Sequence, residues 1–108
     1  MDYEHSPDTW VILKITDIGS ETFYKVLGGW SGGYTQGDSW RMNSGITSIE
    51  EDEDYWYFKG YSGSVYRCAK GMNRLSMATA SMYSHLRKNY ADKVTLMEDD
   101  EWMKEFTR

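Results

Sequence analysis

Hydrophobic periodicity changes once along this chain, and that change sets its fold class. Up to about residue 68 the apolar residues come in short β-branched and aromatic runs separated by turn residues, as strands do. Residues 10–16 (Trp-Val-Ile-Leu-Lys-Ile-Thr) read as a strand ending in the turn Asp17-Ile18-Gly19-Ser20, with residues 22–27 as the hairpin partner. Residues 39–43, 46–50, 55–59 and 65–68 fit further strands. The run Tyr55-Trp56-Tyr57-Phe58 suits a central position, because both of its faces favour a sheet. From Leu75 the apolar steps lengthen: Leu75, Ala78, Met82, Leu86 and Tyr90 form the stripe of an amphipathic helix, predicted over residues 76–89. Ser76 fits its N-cap, while Arg87 and Lys88 favour the dipole at its last turn. Residues 93–97 fit a last strand and 99–106 a short terminal helix. The expectation is one α+β domain over residues 1–108, with 1–8 as a flexible tail. Its twisted antiparallel sheet has five to seven short strands, open or curled toward a small barrel, with one helix packed across it.

Composition decides what fills the core. The 3 Phe, 5 Trp and 9 Tyr outnumber the Val, Ile and Leu residues together, so aromatic rings must carry much of the burial. Any single ring then has two readings, completion of a core short of aliphatics or a place on a binding face. One cysteine, Cys68, excludes an internal disulfide and points to a reducing, cytoplasmic setting. On its predicted strand Cys68 reads as a small buried hydrophobe. The first residues are acidic, unlike a secretory signal, and no run approaches the roughly 20 apolar residues of a membrane helix.

Charge is segregated. Between residues 61 and 90 stand Arg67, Lys70, Arg74, Arg87 and Lys88 with no acidic residue, whereas the acids gather in Glu50-Glu51-Asp52-Glu53-Asp54 and Glu98-Asp99-Asp100-Glu101. Such a pattern fits a steered partner or self-association, and equally fits segments that neutralise one another within the fold. The first acidic run reads most simply as a solvated β-turn, since it lacks the glycine and closing glutamate of a calcium loop.

Gly29-Trp30-Ser31-Gly32-Gly33 matches the nucleophile-elbow pattern literally, and Gly60-Tyr61-Ser62-Gly63-Ser64 nearly repeats it. An elbow needs a helix directly after its serine. Here Ser31 leads into a glycine-rich stretch with no helical period, so both copies read as turns between a strand and its returning strand. His5, in the tail, and His85, among polar helix positions, supply no placed base. Two histidines and one cysteine make no zinc spacing, and no glycine pair opens a helix to hold a phosphate. Neither metal nor cofactor is expected.

What remains is a surface. Trp30, Tyr34, Gln36, Asp38 and Trp40 crowd one glycine-rich loop, and Tyr61, Tyr66 and Arg67 crowd the second. Rigid aromatics beside arginine are the residues interface hot spots use. The leading expectation is a non-catalytic interaction protein that binds a protein partner, or itself, through Trp30, Tyr34, Trp40, Tyr61, Tyr66 and Arg67. One alternative is a nucleic-acid-binding module using Arg67, Lys70, Arg74, Arg87 and Lys88, with bases stacked on rings. Another is an acidic mimic of DNA that occupies a DNA-binding protein.

The segment Trp40-Arg41-Met42-Asn43-Ser44-Gly45-Ile46, followed by Ile49-Glu50-Glu51 and by Tyr57-Phe58-Lys59-Gly60-Tyr61-Ser62-Gly63-Ser64-Val65-Tyr66, resembles small accessory proteins of tailed bacteriophages. The resemblance covers residues 39–68. It implies an accessory role in the cytoplasm of an infected host and brings no catalytic residue with it.

Overall fold

The computed structural model describes residues 2–16, 21–31, 38–90, 93–97 and 101–106. The first strand, β1 (Thr9–Thr16), is apolar on both faces, and it lies inside a sheet covered on both sides. It pairs with β2 (Thr22–Trp30), which pairs in turn with β3 (Ser39–Met42). On its other edge β1 takes β7 (Val94–Met97), giving the order β3-β2-β1-β7. A second sheet holds β4 (Ile46–Glu51), β5 (Tyr55–Gly60) and β6 (Val65–Ala69), with the aromatic β5 in the centre. Every pairing within the two sheets is antiparallel.

Where one sheet was expected, the strands therefore divide into two, and neither closes into a barrel. The division falls at Asn43. Its backbone N–H donates to Val26 O at 3.0 Å, while its side-chain Oδ1 accepts from Val26 N–H at 2.9 Å. The side chain thus occupies the place of a strand carbonyl, and the main chain is free to leave. It turns at Gly45, whose φ of +129° suits only glycine, and β4 begins in the other sheet.

The four-stranded sheet is the middle of three layers. Alternation on β1 sends Trp10 and Ile12 toward the second sheet, where they join Val26, Ile46, Phe58, Tyr66, Cys68 and Met97. Helix α2 (Glu101–Phe106) completes this core with Trp102, whose ring lies 4.9 Å from Trp56, 5.2 Å from Phe58 and 6.2 Å from Trp10. Trp10 donates its indole N–H to Ala69 O at 2.7 Å. On the opposite face, Val11, Leu13, Leu27 and Val94 meet Leu75, Met82, Tyr83 and Leu86 of α1 (Met77–Tyr90) and its approach. Ser76 caps that helix as its sequence predicts: Thr79 N–H donates to Ser76 Oγ, and Ser76 N–H donates to Thr79 Oγ1 at 2.7 Å.

Two expectations are corrected. Gly29 and Trp30, read as part of a turn, lie inside β2, which includes Gly28 and runs to Trp30. Gly28 and Gly29 both permit close approach instead. A Cβ on Gly28 would stand 2.9 Å from the Pro7 ring, and one on Gly29 would stand 2.7 Å from Ser76 Oγ and 2.8 Å from Thr79 Cγ2. The tail is the second correction, because residues 4–8 are bonded into the fold. Glu4 and His5 donate backbone N–H groups to Val65 O, Arg67 donates to His5 O at 2.8 Å, and Asp8 donates to Gly29 O at 2.9 Å. The segment is a strap along the outer edge of β6, parallel to it at His5 and Tyr66, and it crosses to β2 with Pro7 buried.

Substituting Gly29→Ala forces α1 off the sheet or strains it, so denaturant titration should show a loss of about 1–3 kcal/mol. Gly71→Ala has nothing within 4 Å of the added carbon and should stay within about 0.5 kcal/mol of the parent.

Candidate functional site

The strap meets the end of the β2–β3 hairpin and leaves a cleft of about 340 Å³ between them. Glu4, His5 and Ser6 form one wall, and Trp30 with Ser39, Trp40 and Arg41 form the other. Trp30 ties the walls together by donating its indole N–H to Ser6 O at 3.1 Å. Asp8 Oδ2 accepts the backbone N–H of Ser31 at 2.8 Å and holds the chain as it leaves β2. The His5 ring rests 4.8 Å from the Tyr66 ring and meets Trp30 edge-on at 6.3 Å. Partial burial lowers the His5 pKa first, and the Arg41 charge lowers it further against the opposing pull of Glu4. Arg41 is exposed and, among the described residues, has no carboxylate within ion-pair distance.

Register separates the two tryptophans. Trp30 lies opposite Ser39 and Arg41 opposite Gly28, so Trp30 and Arg41 share the face toward the second sheet. Trp40 lies opposite Gly29 and points to the helix side, with 44% of its surface exposed. The cleft therefore has an aromatic residue on each side of the β3 edge.

The other expected partner-binding residues divide. Tyr66 is 2% exposed and belongs to the core beneath His5, which corrects its reading as a surface ring. Burial also raises the pKa of its hydroxyl. Arg67 is committed: its Nε donates to Ser6 Oγ at 3.2 Å, and its guanidinium lies 4.0 Å from the Tyr3 ring and 4.3 Å from the Tyr55 ring. It supports the strap. Tyr61 is 66% exposed but sits at the far end of β2 from the cleft, against Phe23 at 6.5 Å. Tyr34 and Gln36 lie outside the described residues.

The basic set is dispersed. Lys70 pairs with Glu51 at 2.6 Å and lies 4.8 Å from the Trp56 ring. Arg74 is exposed in the link before α1, Arg87 donates to Val94 O at 2.9 Å, and Lys88 is exposed late in α1. The acidic run forms the β4–β5 turn. Asp52 Oδ1 accepts from the backbone of Asp54 and Tyr55, and Oδ2 accepts the Tyr57 hydroxyl at 2.6 Å. Those bonds, the Tyr57 one foremost, lower the Asp52 pKa. Glu98 to Asp100 lie outside the described residues.

Ser31 follows the end of β2 at Trp30, and residues 32–37, on which the elbow pattern depends, lie outside the described residues. Cys68 is buried, and burial pushes its thiol pKa well up. Among the described residues no three His, Cys, Asp or Glu side chains are grouped to hold a metal ion, and no helix is long and apolar enough to cross a membrane.

Sequence reasoning missed His5, Ser6 and Arg41. The available signal was Gly28-Gly29 within a strand pattern, which marks close approach of another backbone or side chain.

Acidification tests the seat of His5. A depressed histidine pKa means the unfolded chain takes up a proton first, so this contribution is full above the ordinary value of 6.5 and is lost as pH falls toward the folded value. Unfolding midpoints should therefore fall from about pH 7 to about pH 5 more steeply for the parent than for His5→Gln. Equal slopes would place the ring in contact with solvent. No family model, curated protein or solved structure matches this chain.

Proposed function

We propose that this chain is a non-catalytic interaction protein that binds an extended segment of a protein partner along β3 and in the cleft behind it. The observation that carries the reading is Arg41, an exposed guanidinium at a strand edge that has no ion pair among the described residues and shares its cleft with Trp30 and Trp40. Asn43 pairs with Val26 through N–H and Oδ1, so by alternation Trp40 and Met42 direct their backbone N–H and C=O groups outward. An added strand finds hydrogen bonds there, while the tryptophans and Arg41 select side chains. Arg41 favours an acidic residue in the bound segment. The stretch resembling bacteriophage accessory proteins, residues 39–68, spans β3 to β6, which fits an accessory role inside an infected host.

Nucleic-acid binding has less support. Arg67, Lys70 and Arg87 are already engaged, and the set is divided among β6, the turn after it, the link before α1 and the last turn of α1. Mimicry of DNA has one placed acidic cluster, in a single turn.

The test is selection of peptides from a random displayed library on the immobilised full chain, with affinities then measured by calorimetry. Enriched peptides should be extended and carry an acidic residue. Trp40→Ala should weaken them by about 2 kcal/mol, as hot-spot tryptophans do, and Arg41→Gln should weaken only the acidic ones, both with unchanged circular dichroism. Peptides that bind both variants as well as the parent would refute the site. Salt-sensitive oligonucleotide binding would move the function to nucleic acid.

A further inference from the structure

The middle sheet is longer than the helix laid over it. With 9 residues, β2 spans about 30 Å; with 14 residues, α1 spans about 21 Å. The helix starts over Gly29, where Ser76 and Thr79 touch the sheet, and β3 reaches only as far as Leu27. The far end of the same face, at Ile15, Phe23 and Val94, thus has only the last turns of α1 above it.

A cavity of about 300 Å³ lies there, walled by Ile15, Phe23, Leu86, Tyr90 and Val94. Lys25 and Lys93 also line it, with no carboxylate among the described lining residues. Among the described residues neither lysine has an ion-pair partner. In a chain of net charge -5, an apolar cavity whose described lining carries two amines and no acid is complementary to an anion with an apolar body. Its volume sets the size: at about 30 Å³ per water-sized group it holds roughly ten heavy atoms.

We propose that this cavity binds a small amphipathic carboxylate. Its tail lies on Ile15, Phe23 and Leu86, and its carboxylate meets the ammonium groups of Lys25 and Lys93. The site is separate from the strap cleft and stands or falls independently of the peptide reading, since it involves neither β3 nor the strap.

The probes are octanoate, octanol and octyltrimethylammonium, all below their micellar concentrations, titrated into the isotope-labelled full chain and followed by amide chemical shifts. Octanoate should bind saturably, with shifts centred on Phe23, Tyr90 and Val94, and about tenfold more tightly than octanol. The cationic analogue should not bind. In K25M/K93M the octanoate advantage should disappear while octanol binding stays as in the parent. Equal affinity for all three probes, non-saturating shifts, or undiminished octanoate binding by the double variant would each overturn the proposal. Concentration-dependent shifts of the same residues without added probe would assign the face to a second copy of the chain, and would overturn it too. The comparison of three probes on the parent decides the question even if the double variant fails to fold.

Discussion

The architecture depends on the absence of side chains at Gly28 and Gly29. Consecutive strand residues face opposite ways, so this pair thins the middle sheet on both faces at one point. Pro7 fills one side and the Ser76–Thr79 helix start fills the other. The first contact seats the strap and so forms one wall of the cleft. The second places α1 near one end of β2, and the helix then runs out before the sheet does. Both candidate sites follow from where neighbouring elements are allowed to touch β2.

Aromatic burial shapes the layer between the sheets. Trp10, Trp56, Phe58 and Trp102 interlock with tilted and edge-on rings, arrangements favoured by the ring quadrupole. Helix α2 is short, yet Trp102 makes it part of the core, only 1% exposed. Within this layer the Trp10 indole N–H reaches Ala69 O, whereas the Trp102 indole N–H finds no hydrogen-bond partner among the described residues. The rings expected to furnish a binding surface are thus divided between core and rim, Tyr66 going inward and Trp40 remaining at the edge.

Segregated charge in the sequence becomes largely local compensation in space. The hairpin of β5 and β6 brings Lys70 next to the acidic turn, because Tyr55 pairs with Ala69, and Glu51 then lies within reach of Lys70. Arg67 spends its guanidinium on two tyrosine rings and Ser6. What chain order separates, antiparallel pairing rejoins, and among the described residues the cations left over are the ones with no carboxylate within ion-pair distance. Arg41 at the β3 edge and the Lys25 and Lys93 pair beyond the helix are of this kind.

Local pattern alone determined the strands, the helix with its Ser76 cap, the acidic turn and the buried character of Cys68, because each depends on neighbours within a few residues. It also singled out Trp30 and Trp40. Tertiary structure decided the rest. Whether seven strands form one sheet or two depends on one side chain, Asn43, standing in for a backbone carbonyl across the gap to Val26, 17 residues away in sequence. The strap was illegible because its backbone bonds go to Val65, Arg67 and Gly29, and an acidic, turn-rich stretch without periodicity carries no mark of such distant partners. Charge and aromatic content are properties of composition, whereas the placing of Arg41 in one cleft with Trp30 and Trp40 is a property of which elements are neighbours, and long-range pairing alone sets that.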